Sequence, residues 1–279
     1  MIRAGREFYK MSGSGNDFVF VDARNEPPGR LNNVAAIREV CARGTGVGAD
    51  GIVFLEPSRA ASVGMRYLNS DGSTAALCGN ATLCTARLFV ELGGAALGEP
   101  FTIESASGVL GAVMHAAGAE VEMPPVQGLN PNAGTVLIPG ERRAGFAQVG
   151  IPHLVILCDD LESVQLVERG RPLRFDPARP EGTNVDFVGR GPDDRWHMRT
   201  YERGVEGETL ACGTGAVASA VMLNAWGLDQ AGGTIVTRSG KELRIRVNSE
   251  AEVITPLLAG EARIVYRGFL GEVLYLDLQ

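Results

Sequence analysis

The sequence predicts a mixed α/β chain folded as two similar halves, on three observations. Short apolar runs of strand character outnumber helical patterns. The segment "CGNA" at 78–81 returns as "CGTG" at 212–215, and each copy opens a helix-forming run. Matches flanking the two copies hold one slowly drifting offset of about half the chain, the mark of an internal duplication.

In chain order, the first half offers strands at 18–22 ("FVFVD"), 51–56 ("GIVFLE") and 65–69 ("MRYLN"), with helices at 33–43 and 80–92. The second half offers strands at 153–158 ("HLVILC") and 243–247 ("LRIRV"), with helices at 161–169 and 214–226. The pairs that align are Gly15 with Gly150, Arg66 with Arg199, Thr102 with Thr234 and Ser107 with Ser239. Between the halves, "MPPVQGLNPNAG" at 123–134 reads as a linker, because prolines and turn residues interrupt the pattern. The expected domains are 1–124, joined by a C-terminal strand at 266–279, and 125–265.

Composition bounds the function. With 45% hydrophobic and 21% charged residues over 279, the chain has the make-up of an ordinary globular protein. A net charge of −7 leaves no electrostatic footprint for nucleic acid or an anionic membrane. No apolar stretch approaches bilayer-spanning length, and the N-terminus lacks a signal-peptide core, so a cytoplasmic location is expected. Five cysteines, an odd number in a reducing compartment, predict thiols and not a disulfide scaffold.

The duplicated cysteines carry the chemistry. A cysteine just before a helix has its thiolate stabilised by the positive helix end, which predicts a lowered pKa for Cys78 and Cys212. The residues that follow, Gly79-Asn80 and Gly213-Thr214, present backbone N–H groups that suit a carboxylate, and glycine lets the substrate approach. A thiolate on one side of a carbon and a thiol on the other would remove a proton on one face and return it on the other. Such a site inverts a stereocentre with no metal and no coenzyme. Cys41, Cys84 and Cys158 lie inside helix or strand patterns and read as core. His115, His153 and His197 are scattered, which is poor for a metal, and His153 reads as structural. "GVGADG" matches a dinucleotide fingerprint in letters, but it follows a helix and precedes a strand, the reverse of the required order.

The segments "FYKMSGSGNDFVFVD", "GTGVGADGI", "NSDGSTAALCGN" and "ERGVEGETLACGTGA" resemble the signature segments of the diaminopimelate epimerase family, in that family's order. The resemblance covers essentially the whole chain. It implies two pseudo-symmetric α/β halves, each a barrel-like, mostly antiparallel sheet around a central helix, with the active site in the cleft between them. It further implies cofactor-independent interconversion of LL- and meso-2,6-diaminopimelate in lysine and peptidoglycan synthesis, by a homodimer. Cys78 and Cys212 then form the acid/base pair, and Gly79, Asn80, Gly213 and Thr214 hold the reacting carboxylate. Asn16, Asn69, Asn184, Glu202 and Arg203 match substrate-binding positions; Arg203 suits the distal carboxylate and Glu202 the distal ammonium.

Three departures stand out. Ile151 replaces an asparagine usual in that family, Gly51 stands where some members have glutamine, and Ala81 and Leu83 replace a glycine and a basic residue. Two other classes stay open on the residues alone: an isomerase or racemase of another substrate on the same duplicated fold, and a non-catalytic module that holds an amino acid between two lobes.

Overall fold

The computed structural model describes residues 5–74, 77–230, 232–250 and 253–271. The strand expected at 266–279 is therefore described only as far as 271, and Ala75 and Ala76 of the first cysteine segment also lie outside the described residues. The chain divides into two compact units, Met1–Val121 with Glu261–Gln279, and Glu122–Gly260.

The elements run β1 (Glu7–Gly13), β2 (Asn16–Asp22), α1 (Val34–Cys41), β3 (Gly51–Glu56), β4 (Val63–Asn69), α2 (Gly79–Glu91), β5 (Pro100–Ser105), β6 (Gly108–His115) and β7 (Gly118–Glu122). They continue with β8 (Gln127–Asn130), β9 (Glu141–Val149), β10 (Ile151–Cys158), α3 (Leu166–Arg174), β11 (Asn184–Arg190), β12 (Trp196–Glu202) and β13 (Gly207–Thr209). The remainder is α4 (Gly213–Ala225), β14 (Gly233–Val236), β15 (Glu242–Glu250), β16 (Val253–Gly260) and β17 (Arg263–Phe269).

The first unit pairs its strands in the order β17-β1-β2-β3-β4-β5-β6-β7, with β2–β3 and β4–β5 parallel and the rest antiparallel. The second repeats this as β8-β9-β10-β11-β12-β14-β15-β16, again with two parallel steps, β10–β11 and β12–β14. The duplication read from the sequence is thus a duplication of topology. In each unit a helix crosses over at each parallel step, α1 and α2 in the first, α3 and α4 in the second.

Each sheet wraps a helix. Strands β1, β4, β6 and β17 all contact α2, while β9 to β12 and β14 to β16 contact α4. Residues 213–223 of α4 are all buried, which a helix apolar on every side requires. On β2 the alternate residues Val19 and Val21 join Ile37 and Val40 of α1 in one cluster, so Phe18 and Phe20 fall on the opposite face. All four strand residues are at most 1% exposed, the signature of a strand covered on both sides.

Two expectations are corrected. Residues 123–134 are not a loose linker: β8 pairs with β9, and Met123 and Val126 donate to the carbonyls of Pro256 and Ile254. The third helix begins at Leu166, not at 161. Arg199 donates to the carbonyls of Leu161 and Val164 (3.1 and 3.0 Å), and Glu162 and Ser163 bond to Asp160, so this stretch is committed to turns. The helix then continues through Pro172, which lies past its first turn.

Candidate active site

Cys78 and Cys212 occupy the same place in the two units. Each is the N-cap of its wrapped helix, with φ/ψ of −134°/106° and −136°/110°. Gly79 and Gly213 are the first helical residues, so the N–H groups of 79–81 and 213–215 have no partner within their helices. Asn80 and Thr214 follow, both buried.

In the first unit, Asn16 is set by the two-residue turn that joins β1 to β2. Ser14 and Gly15 have φ of 51° and 114°, as such a turn needs. The Asn80 amide donates to the Asn16 side-chain oxygen (2.6 Å), and Asn16 donates to Asp50 (3.1 Å). Gly13 permits this approach, since a Cβ there would lie 2.8 Å from the Asn80 carbonyl and 2.9 Å from the Cys84 sulfur. Asn69 ends β4 opposite Gly51 and donates to Ser73 (3.0 Å).

Reading the residues alone missed the charged frame around Asn16. Asp17 takes bonds from Lys10 (2.5 Å) and Arg43 (2.7 Å), and Arg43 also reaches Asp50 (2.8 Å). Burial pushes the Asp17 carboxyl up, but the bonds from Arg43 and Lys10 outweigh it and hold the group below its usual range. Lys10 and Asp50 stand inside quoted segments, "YKMSGSGND" and "GADG", so their proximity was the missing information.

In the second unit, Asn184 opens β11, and its side-chain oxygen accepts from the Arg203 backbone N–H (2.8 Å). The Arg203 guanidinium donates to the Glu181 carbonyl (3.0 Å). Glu202 ends β12 and lies close enough for its charge to act on Cys212.

The sequence-based expectation of a lowered pKa is overturned at Cys212. Burial pushes that thiol well above its ordinary value, and the Glu202 and Asp186 charges push it further. Thr214 and the Gly215 N–H, 3.5 and 3.4 Å from the sulfur, act the other way and are outweighed. Burial likewise raises Cys41 and Cys158, each to about 12, and raises Cys84 well above its ordinary value, consistent with core roles.

His153, read from the sequence as structural, is buried beside Cys212. A ring nitrogen of His153, a carboxylate oxygen of Asp186 and the Cys212 sulfur all lie within 4.8 Å of one another, and all three residues are buried. Among the described residues they form the one such group with donors a metal could use. Both Asp186 oxygens are already engaged, by His153 Nδ1 (2.7 Å) and by the Thr200 hydroxyl (2.7 Å), so the group is built as a hydrogen-bonded cluster.

The departures noted above have structural counterparts. A Cβ on Gly51 would lie 2.4 Å from the Leu68 carbonyl and 2.5 Å from the Tyr67 ring, so Tyr67 fills the space a longer side chain would need. Ile151 opens β10 as Asn16 opens β2.

Comparison with known proteins bears on this geometry. The sequence profile of the family described as "Diaminopimelate epimerase" matches twice, at residues 8–128 and 145–265. A protein of that name from Gemmatimonas aurantiaca is 43% identical over 272 residues, covering 94% of this chain and 98% of that protein. Another from Aquifex aeolicus is 37% identical over 277 residues, covering 95% and 98%. Among solved structures, a Bacillus anthracis phenazine biosynthesis protein of the PhzF family superposes with a TM-score of 0.73 at 15% identity, covering 94% of this chain and 98% of its own. A hydroxyproline epimerase from Agrobacterium vitis gives 0.70 at 17%, covering 99% and 95%. At those identities the likeness is one of fold.

Proposed function

Because the chain belongs to the diaminopimelate epimerase family, we propose that it interconverts LL- and meso-2,6-diaminopimelate, with Cys78 and Cys212 as acid and base. The observation that carries this reading is the matched pair of cysteine N-caps, one per unit, with the same backbone angles and the same following glycine. One thiol serves each face of the α-carbon. The helix N–H groups, with Asn80 and Thr214, hold the reacting carboxylate as negative charge grows on it. Asn16, Asn69, Asn184, Glu202 and Arg203 grip the distal amino-acid head, and a substrate with only one head would leave their polar groups unmatched. The reaction uses no cofactor, and its product supplies lysine and peptidoglycan synthesis in the cytoplasm.

Ile151 lacks the amide present at its counterpart Asn16, and one such bond is worth about 1 kcal/mol. We therefore expect a KM raised by a few-fold, not a change of substrate. Incubation in deuterated water with LL-diaminopimelate, glutamate, lysine and histidine should place α-deuterium in the first, with inversion. Activity should survive chelator and borohydride. Faster turnover of any single-headed amino acid would refute the substrate, and binding without exchange would refute catalysis.

The reading includes a homodimer. Val265, Tyr266 and Phe269 on β17 are exposed, and among the described pairings β17 has a strand on one side, β1. Sedimentation should show a dimer that Tyr266→Glu weakens. A monomer in the unmodified protein would refute it.

A further inference from the structure

Strand β4 alternates between two environments. Leu68 joins the core cluster shared with α1, so Tyr67 and Asn69 project from the opposite face, the one that bears Phe18 and Phe20. In register, Tyr67 stands opposite Val53 and Asn69 opposite Gly51. The Tyr67 ring packs edge to face on Phe18 at 5.9 Å, yet it does not stay over its own partner. A Cβ on Gly51 would lie 2.5 Å from Tyr67 Cε2 and 3.0 Å from its hydroxyl oxygen. The side chain therefore leans along the sheet toward Asn69, into room that exists because residue 51 is glycine.

That lean carries the hydroxyl to the end of the unit where polar groups gather. Asp50, next to Gly51, accepts from Asn16 (3.1 Å), and Asn16 accepts from Asn80 of α2 (2.6 Å). Exposure follows the same line. Phe18, Ile52 and Val53 are at most 1% exposed, whereas Asn16, Tyr67 and Asn69 are all half-buried. The second unit differs here. Tyr67 and Thr200 follow the aligned Arg66 and Arg199, but Thr200 is buried and its hydroxyl is given to Asp186 (2.7 Å).

Packing on Phe18 asks only for a ring. What the phenol adds is a neutral donor at an end where other donors are engaged. Asp50 holds one amide hydrogen of Asn16, and Ser73 holds one of Asn69 (3.0 Å). The Lys10 and Arg43 cations are held by Asp17 and Asp50. A substrate carboxylate only accepts, and its two oxygens take several donors.

We infer that Tyr67 is a specificity residue of the first unit, its hydroxyl donating to the carboxylate of the substrate's distal head. The identity of that head rests on the preceding reading, which places Asn16 and Asn69 around it. The contact is a hydrogen bond, and no proton is transferred. Because the distal head does not react, the bond is the same in ground and transition states, and it acts on KM and not on kcat.

The test is Tyr67→Phe, which keeps the ring on Phe18 and removes one oxygen. With LL-diaminopimelate, KM should rise roughly tenfold, the scale of a lost bond to a charged group, while kcat changes less than about twofold and the melting temperature holds. Two analogues, used as competitive inhibitors, show which group is read. L-2-aminopimelate keeps the distal carboxylate and lacks the distal ammonium; L-lysine keeps the ammonium and lacks the carboxylate. Inhibition by the first should weaken roughly tenfold in the variant, and inhibition by the second should not change. An unchanged KM, a loss confined to kcat, or equal weakening of both analogues would overturn the inference. So would a lower melting temperature with every constant unchanged, which would mark the hydroxyl as structural. If the unmodified protein turns over no LL-diaminopimelate, the preceding reading falls and this one with it. An active enzyme indifferent to Tyr67→Phe refutes this one alone.

Discussion

Replacing Cys212 with alanine is expected to lower kcat/KM by about 10²–10⁴, and Cys78→Ala should do the same, the usual scale of a general acid or base. The symmetry of the argument comes from the backbone. Both residues cap their helices at nearly identical angles, so neither is the auxiliary of the other. Inversion needs a proton carrier on each face, and either loss stops the full cycle. The double variant should therefore be little worse than a single one, because the two act as a unit. Stability should change little at Cys78, which is half-buried, and modestly at Cys212, which is buried. Initial rates of solvent deuterium incorporation with inversion, on variants of unchanged melting temperature, decide the matter. A folded Cys212→Ala protein that epimerises near the unmodified rate would remove the proposed mechanism.

Gly215→Ala is the second large effect. Its added methyl would sit 2.4 Å from a carboxylate oxygen and 3.0 Å from the carbon that bears it. Asp186 cannot swing away without giving up His153 and Thr200, and α4 is enclosed by its sheet. Overpacking of this kind costs about 1–3 kcal/mol, while alanine's better helix propensity returns under about 1 kcal/mol. The net expectation is a melting temperature lower by several degrees, read by calorimetry, together with loss of activity beyond what the stability change explains. Ala81 supplies the control in the same molecule, since α2 already carries a methyl at that position. An unchanged melting temperature would mean that the helix start is less confined than these contacts show.

Much of the architecture was legible in the residues because strands buried on both faces read as apolar runs, as at 18–22 and 51–56, and because duplication repeats its own punctuation. The cysteine N-caps were legible for the same reason. What was not legible depended on contacts between segments distant in the chain. His153 looks structural beside its apolar neighbours; its meaning comes from Asp186 and Cys212 on other elements. The pKa of Cys212 was misjudged because a helix end is visible in sequence, whereas burial and the Glu202 and Asp186 charges are not. Segment 123–134 looked like a linker since prolines and turn residues mask a short strand that pairs at an edge. The late start of α3 is written by Arg199, which takes carbonyls a helix would have used.

The ladder between β1 and β17 also joins the first-made and last-made strands of one sheet. Glu7 faces Phe269 across it, so the first unit lacks one strand of its sheet until the ribosome has made the whole of the second. At translation speeds of 5–20 residues per second that interval is on the order of 10–50 s. The second unit's strands, by contrast, all lie within one continuous stretch of chain, and it can collapse while the tail is still emerging. Until β17 is made, β1 is an open edge for chaperones or stray strands to find.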